Sequence, residues 1–274
     1  MPYTRELDYT LIGIAFARNW LVGERSSSDR LLAAAAELAE GEKEWFEAPL
    51  QDASAGYAAW SASYDEPGNP VVAIEGDALR ELFIALRPGY ALDAACGTGR
   101  HALTLEQLGH GVVGVDASEA MLARAREKSP TLDLRTGDLT ALPLEDASVD
   151  LAVCALALTH LPELGPPLAE LVRVVRPGGR VILSDVHPTN VMLGAQALYG
   201  TAAGRGYVRN HVHRHGAYIA AANAAGLQIT ACHELVYRRE ESDVFAERID
   251  LPADVVANAL VGFPAVVVWE LERP

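Results

Sequence analysis

From residue 71 onward, short apolar runs alternate with amphipathic segments of helical period. The runs predict strands over 90–94, 111–116, 132–136, 149–156, 179–186, 227–236 and 265–271. The segments between them predict helices over 71–86, 100–108, 120–128, 168–175 and 216–225. Apolar strands that alternate with helices are typical of a parallel sheet covered on both faces. The pattern therefore predicts an α/β fold built from parallel βαβ units.

The first 65 residues differ from the rest, since they contain nine of the chain's eighteen aromatic residues. A helix is predicted over 31–46, with Ser28 or Asp29 as its N-cap. This amphipathic segment adds little to an alternating sheet. We therefore expect a helical extension or lid over 1–65 and the main domain over 66–274, with the proline-rich stretch 66–70 between them.

A second helix is predicted over 57–64, where three aromatic side chains share one face. These are Tyr57, Trp60 and Tyr64. Together with Trp45, they form either a lid over a flat ligand or ordinary packing against the core or another subunit. The sequence leaves both interpretations open.

The charge balance limits the choice of ligand. The chain has 37 acidic and 22 basic residues, which gives a formal charge of −15. Proteins that bind nucleic acid normally carry a basic net charge or a basic stripe. The composition therefore argues against nucleic acid as the main partner.

Cysteines and hydropathy indicate where the protein works. Three scattered cysteines, Cys96, Cys154 and Cys232, have no metal-binding spacing, which is typical of a reducing compartment. The apolar stretch 11–22 is too short to span a bilayer, and residues 1–10 are too mixed in charge for a signal peptide. We expect a cytoplasmic enzyme or binding protein that does not enter a membrane.

A glycine-rich turn follows the first predicted strand, at residues 92–102. Gly97 and Gly99 let the backbone approach a ligand closely, and the next helix offers free N–H groups. Taken alone, this spacing fits a dinucleotide-binding turn as well as any other. Asp93 changes the interpretation, because its carboxylate would repel a pyrophosphate and attract a cationic amino group.

Two further acidic positions follow the next two strands. Asp116 ends the second strand, where a carboxylate can accept hydrogen bonds from both ribose hydroxyls. Asp138 and Leu139 follow the third strand and are placed to meet an adenine edge. The sequence therefore predicts a site for a nucleoside that carries an amino acid and no phosphate.

These segments resemble the class I S-adenosylmethionine-dependent methyltransferases over about residues 64–186, and most closely the small-molecule branch typified by quinone-biosynthesis enzymes. The segments that match are 92–101, 113–122, 137–143, 149–161 and 175–179. The resemblance implies a Rossmann-like, seven-stranded, mostly parallel sheet whose last strand is antiparallel. It also implies S-adenosylmethionine as cofactor and an acceptor-binding insertion at about 187–215.

The resemblance also implies roles for individual residues. Asp93, Gly97 and Gly99 would surround the methionine moiety, Asp116 would hold the ribose, and the carbonyl of Ala155 would face the ammonium group. Three side chains would contact adenine, namely Met121, Asp138 and Leu139. Tyr64 would close over the cofactor. Met121 is also a common type of core residue, so ordinary packing is an equal interpretation for it.

Methyl transfer from a sulfonium is an in-line displacement that needs alignment and exclusion of water. A base is needed only when the acceptor loses a proton, and histidine is the natural base near pH 7. The candidates are His160, His187 and the alternating group His211, His213 and His215. Our hypothesis is that His187 or His213 is the base; the alternative is that these histidines only bind backbone. No metal is expected, because the alternating group has no neighbouring carboxylate in sequence.

The expected function is methylation of a small molecule, such as a quinone-like or other natural-product scaffold, on O, N or C. The rivals are an NAD-dependent oxidoreductase with the same glycine turn and a methyltransferase-like binding protein without catalysis. Residues 1–50 are the expected contact of a homo-oligomer. The segment 186–233 has no acidic residue and contains Arg205, Arg209 and Arg214, which predicts an acceptor with phenolate, enolate or carboxylate character.

Overall fold

The computed structural model describes residues 5–19, 25–40, 48–201, 204–247, 249 and 251–274. Its helices are α1 (Arg5–Asn19), α2 (Arg25–Glu40), α3 (Ala53–Trp60), α4 (Pro70–Ile84), α5 (Arg100–Gln107), α6 (Glu119–Lys128), α7 (Gly165–Val174), α8 (Pro188–Met192), α9 (His215–Ala224), α10 (Arg239–Ala246) and α11 (Ala253–Leu260), with a 3-10 turn at Leu158–His160. Its strands are β1 (Leu50–Gln51), β2 (Tyr90–Ala94), β3 (Gly111–Asp116), β4 (Asp133–Thr136), β5 (Val149–Ala155), β6 (Val175–Val186), β7 (Ala197–Thr201), β8 (Gly204–Val208), β9 (Gln228–Val236) and β10 (Pro264–Glu272). Within the described ranges, no helix combines the length and apolar character needed to cross a lipid bilayer.

Seven strands form one sheet in the order β4-β3-β2-β5-β6-β10-β9. Strands β2 to β6 run parallel, and β10 is antiparallel to both β6 and β9. Leu92 on β2 lies opposite Val113 on one side and Ala152 on the other. Strands β3 and β4 are added on one side of β2, whereas β5 and the later strands are added on its other side. This change of side leaves a ligand crevice beyond the carboxyl ends of β2 and β5. The predicted seven-stranded, mostly parallel sheet with an antiparallel last strand is confirmed.

Helix starts follow the local capping groups. Before α4, the side-chain oxygen of Asn69 accepts the N–H of Val71 at 3.1 Å, as expected for an N-cap. The N-cap predicted for α2 at Ser28 or Asp29 is wrong, because this helix begins three residues earlier than Ser28. The hydroxyl of Ser28 accepts a hydrogen bond from Asn19 at 2.9 Å and so joins α2 to α1.

The two N-terminal helices pack against the far end of the chain. The apolar residues that they bury are Leu11, Ile12, Ala15, Leu31, Ala34 and Leu38. These side chains belong to the same hydrophobic core as Val255 and Val256 of α11. Arg18 adds a hydrogen bond of 2.9 Å to the carbonyl of Ala259. Much of the apolar surface of α1 and α2 is therefore buried within the chain, while their predicted role in a homo-oligomer stays a prediction.

The insertion predicted at 187–215 contains an antiparallel pair, β7 and β8, which β1 extends into a three-stranded sheet in the order β1-β8-β7. Helix α3 packs on this sheet, where Trp60 stacks on Tyr199 with ring centroids 5.8 Å apart. We call α3, β1, β7 and β8 together the cover. The periodicity of the sequence did not predict these short strands.

Helix α3 differs from the predicted helix over 57–64. It starts at Ala53, because the Asp52 side chain caps it through the N–H of Ala55 at 2.9 Å, and it ends at Trp60. Tyr64 lies beyond the helix, yet its ring still packs 5.2 Å from that of Trp60. Trp45 lies outside the described residues.

Candidate active site

The turn between β2 and α5 contains two glycines in the left-handed region of backbone space. Gly97 has a φ of 55° and Gly99 a φ of 78°. The N–H of Gly97 donates to one carboxylate oxygen of Asp116 at 2.8 Å, and the N–H of Ser118 donates to the other at 2.7 Å. A Cβ on Gly97 would have no neighbouring atom within 4 Å. The turn is therefore held by Asp116 and faces open space.

A cavity of about 160 Å³ lies where β2, β3 and β5 end; we call it the cofactor cavity. Seven of the nine predicted cofactor residues line it, namely Tyr64, Gly97, Asp116, Met121, Asp138, Leu139 and Ala155. The described part of its wall contains two carboxylates and neither lysine nor arginine. Such a wall fits a ligand with hydroxyls and a positive charge better than one with a phosphate.

The other two predicted cofactor residues, Asp93 beneath the turn and Gly99 within it, are not on the described wall of this cavity. Asp93 is 1% exposed and accepts the N–H of Ala102 at 2.8 Å. Burial raises the pKa of Asp93 to about 6. A Cβ on Gly99 would lie 3.0 Å from that of Ala125. Asp93 supports the turn from below and Gly99 packs closely against Ala125, while the predicted contact of both residues with the cofactor stays a prediction.

A buried carboxylate that the sequence analysis missed fixes the start of α5. Glu75 on α4 lies 2.7 Å from Arg100 and 3.0 Å from His101, and it accepts the hydroxyl of Ser184 at 2.8 Å. Burial alone would raise the pKa of Glu75, but His101 and Arg100 outweigh that effect and hold it at about 2. The sequence did contain a signal for this residue. Glu75 lies four positions before Leu79, so a helix here places an acidic side chain on its apolar face.

A second cavity of about 650 Å³ lies beside the first, under the cover; we call it the acceptor cavity. The two cavities share four wall residues, Tyr57, Tyr64, Leu156 and His160. The described residues of the acceptor cavity include no aspartate, glutamate, lysine or arginine. Apolar and aromatic side chains dominate, and His160 is the one described imidazole on the wall. The space therefore suits a neutral, largely apolar molecule.

Tyr57 and His160 meet at this shared wall. The Tyr57 hydroxyl lies 2.7 Å from Nε2 of His160, and Nδ1 of His160 lies 3.0 Å from the carbonyl oxygen of Arg209. Burial raises the pKa of Tyr57 well above its usual value and lowers the pKa of His160. The sequence analysis named Tyr57 as a lid residue and His160 as one candidate base, but it did not bring them together.

The two histidines of the base hypothesis, His187 and His213, line neither cavity in the described structure. His187 is 3% exposed, lies 2.9 Å from Glu234 and caps α8 by accepting the N–H of Thr189. His213 donates from Nε2 to the carbonyl of Leu161 at 2.7 Å. These positions favour the alternative, in which both histidines hold the surrounding structure.

Three side chains nevertheless come close enough to suggest a metal site. Donor atoms of His187, His215 and Glu234 lie within 4.8 Å of one another. Because Nδ1 of His187 accepts the N–H of Thr189, its Nε2 carries the proton in the neutral ring and donates to Glu234. A metal-binding histidine needs the opposite arrangement, with its second nitrogen donating to an acceptor. The geometry therefore favours a hydrogen bond between His187 and Glu234 over coordination of a metal ion by His187.

The arginines of the acid-free segment do not face the acceptor cavity. Arg205, Arg209 and Arg214 are exposed, and none is among the described residues of either cavity wall. The contribution of Arg209 is its backbone carbonyl, which accepts the hydrogen bond from His160. These cations therefore do not line the described wall of either cavity, and the expectation that they attract an anionic acceptor stays a prediction.

Known proteins with a similar sequence are methyltransferases. Residues 92–183 match the family model described as a methyltransferase domain. Demethylmenaquinone methyltransferase of Renibacterium salmoninarum is 37% identical over 99 residues, which are 36% of this chain and 42% of that protein. Malonyl-[acyl-carrier protein] O-methyltransferase of Pectobacterium atrosepticum is 37% identical over 128 residues, which are 44% of this chain and 51% of that protein. The chain thus spans about half or less of the length of these relatives.

The fold has solved counterparts as well. The S-adenosylmethionine-dependent methyltransferase of Mesorhizobium loti superposes with a TM-score of 0.57 at 23% identity, covering 73% of this chain and 98% of that one. Residues 92–183 therefore match a methyltransferase domain, and the fold is that of solved S-adenosylmethionine-dependent methyltransferases, which implies S-adenosylmethionine as the cofactor.

Proposed function

We propose that this protein transfers a methyl group from S-adenosylmethionine to a neutral, largely apolar small molecule, such as a quinone-like or other natural-product scaffold. One observation carries the proposal: a cavity of about 650 Å³, whose described residues include no aspartate, glutamate, lysine or arginine, shares a wall with the cofactor cavity. A demethylmenaquinone methyltransferase among the relatives supports a quinone-like acceptor.

The residues of the cofactor cavity fit the proposed cofactor. Asp116, Met121 and Leu139 line this cavity, which supports the proposal that Asp116 accepts the ribose hydroxyls and that Met121 and Leu139 enclose the adenine. When bound, the cofactor supplies a methyl group that its sulfonium charge has already activated. The chain itself has to orient the acceptor and exclude water, and the cover serves both purposes over the acceptor cavity.

The acceptor cavity favours a flat molecule. Trp60 stacks on Tyr57 at 5.8 Å, and its other ring partners are Tyr64 and Tyr199. Such an aromatic cluster offers ring faces on which an aromatic acceptor can stack. Since no described side chain of the wall carries a fixed charge, a charged acceptor would lose its hydration without a partner.

The proposal is tested by calorimetric titration with S-adenosylhomocysteine and with NAD, followed by transfer of a labelled methyl group to a panel of phenols, hydroxyquinones, aromatic amines and carboxylic acids. We expect S-adenosylhomocysteine to bind, NAD not to bind, and label to appear on a neutral ring compound. Binding of NAD alone would support the oxidoreductase instead. Binding of S-adenosylhomocysteine without label on any member of the panel would contradict the proposed acceptor class and favour the non-catalytic alternative.

A further inference from the structure

Tyr57 and His160 lie where the acceptor cavity and the cofactor cavity meet. We propose that they form the proton-accepting pair of this active site, and that the acceptor is methylated on an ionisable hydroxyl of a phenol or enol. The inference rests on the proposed methyl transfer and narrows its substrate class. Its basis is the hydrogen bond of 2.7 Å between Tyr57 and His160 and the position of both residues on both cavity walls.

The hydrogen bonds of His160 define its protonation. The carbonyl of Arg209 can only accept, so Nδ1 of His160 carries a proton and donates to it over 3.0 Å. In the neutral ring, Nε2 then has a free lone pair, and the Tyr57 hydroxyl donates to it. This is the tautomer that a base needs, because the unprotonated nitrogen faces the cavities.

The surroundings keep His160 neutral. The titratable groups that face the pair are Tyr64 beyond α3, Asp116 at the end of β3, Asp185 on β6 and His211 after β8, while Arg209 contributes only its backbone carbonyl. Burial is the main reason why the pKa of His160 is lowered, and His211 lowers it further, while the hydrogen bond to Arg209 raises it. His160 is therefore neutral at pH 7 and available to take a proton.

The loop that holds His160 is clamped on several sides. The N–H of the preceding residue, Thr159, donates to the buried carboxylate of Asp185 at 3.1 Å, and its carbonyl accepts the N–H of His211 at 2.6 Å. On the other side of His160, the carbonyl of Leu161 accepts a hydrogen bond from His213. These contacts limit the freedom of the imidazole, as a base aligned with its substrate requires.

The proton transfer balances without any further reactant. The acceptor oxygen forms a bond to the methyl carbon while the bond between that carbon and sulfur breaks, so the sulfonium becomes a neutral thioether. The proton of the acceptor hydroxyl passes to the oxygen of Tyr57, and the proton of Tyr57 passes to Nε2 of His160. One positive charge leaves sulfur and one appears on the imidazole, which later releases its proton to water.

The first test needs no acceptor. The full chain, labelled with 15N in its histidines and saturated with S-adenosylhomocysteine, is titrated by NMR. We expect His160 to be neutral with its proton on Nδ1 at pH 7.5 and to titrate below the usual value of about 6.5. Tyr57→Phe removes a donor that stabilises the neutral ring, so the titration midpoint should move upward. Tyr199→Phe, which keeps the ring that stacks on Trp60, is the matched control and should leave the midpoint unchanged.

The second test uses 1-naphthol, its amine analogue 1-naphthylamine and phenols of two to four rings as acceptors. We expect the methyl ether of a phenol, with kcat reduced roughly 100-fold in His160→Gln and S-adenosylhomocysteine affinity within twofold of the original. In the unsubstituted protein kcat should fall as the pH drops through the midpoint of His160, and His160→Gln should lose this dependence. His233→Gln is the control for replacing a histidine with glutamine elsewhere in the protein, because His233 is exposed and pairs with Glu270.

Several results would overturn the inference while leaving methyl transfer intact. These are methylation of the amine but of no phenol, or an unchanged rate and pH profile in His160→Gln. A His160 signal with its proton on Nε2 at pH 7.5, or one that is unaffected by Tyr57→Phe, would overturn the pair directly. Failure to bind S-adenosylhomocysteine would instead count against the proposed function. Failure of the inference and failure of the proposed function therefore give different results.

Discussion

The carboxylate of Asp116, at the end of β3, accepts the backbone N–H of Gly97 at 2.8 Å. The residue predicted to hold the ribose thus also holds the glycine turn in position. Burial raises the pKa of Asp116, while its hydrogen bonds from Ser118 and Gly97 oppose that effect. We therefore expect one side chain to link the shape of the turn to the recognition of the cofactor.

Replacing Asp116 with Asn should weaken binding of S-adenosylhomocysteine by roughly 10-fold to 100-fold, because a hydrogen bond to a charged group contributes about 1.5–3 kcal/mol. Calorimetric titration measures this change. Asp133→Asn is the matched control, since Asp133 is an exposed residue on the neighbouring strand β4 that pairs with Arg135. Equal affinities of the two variants would contradict the role of Asp116.

Gly97→Ala should cost about 1 kcal/mol of unfolding free energy, because its φ of 55° disfavours a side chain. It should also reduce cofactor affinity at least roughly 10-fold, since the new methyl group would occupy the open space above the turn. Gly226→Ala separates the two effects. Gly226 has a φ of 79° and equally open space, but it ends α9 away from both cavities, so we expect the stability loss without the affinity loss.

Gly56→Ala should displace α3 from the sheet of the cover. A Cβ at Gly56 would lie 2.3 Å from a methyl carbon of Val208, and such overpacking typically costs about 1–3 kcal/mol. Hydrogen exchange in α3 should accelerate, and the NMR signal of His160 should change as Tyr57 moves away.

Gly13→Ala in α1 is the control, because no atom lies within 4 Å of the added carbon and alanine favours a helix by up to about 1 kcal/mol. Unchanged hydrogen exchange in Gly56→Ala would show that α3 tolerates the added methyl group and is not closely fitted to β8.

Asp185→Asn should stabilise the protein at pH 8. Burial raises the pKa of Asp185 to about 7, although hydrogen bonds from Tyr218 and Thr159 oppose the shift. Since the folded state binds this proton more tightly than the unfolded chain, the original protein loses stability as the pH rises from about 4 to 7. The amide avoids that loss while it can still bind Thr159 and Tyr218.

Urea unfolding between pH 4.5 and 8 measures this effect. The difference in unfolding free energy between Asp185→Asn and the original protein should grow with pH and level off above pH 7, at roughly 4 kcal/mol. A difference that does not depend on pH would mean that Asp185 titrates normally.

The central sheet and the glycine turn between β2 and α5 were predictable, because the sequence patterns that indicate them span only a few neighbouring residues. The strand predicted over 111–116 is β3, which has the same bounds in the structure. It was predictable because a glycine and an aspartate mark the two ends of an apolar run. Gly97 and Asp116 were identified because a close backbone approach and a strand-end carboxylate each require a particular residue type. The sequence of β2, by contrast, did not indicate that the Asp93 side chain lies beneath the turn.

The sequence by itself determined the alternating α/β pattern, the antiparallel last strand expected from the family resemblance, and seven of the residues that line the cofactor cavity. Only the tertiary structure brought Tyr57 to His160, which lies 103 positions away, and left the arginines of the insertion outside the described wall of the acceptor cavity. Periodicity and turn chemistry act over a few residues, so they can be read along the chain. The meeting of distant side chains depends on how the cover packs on the sheet, which no local pattern encodes.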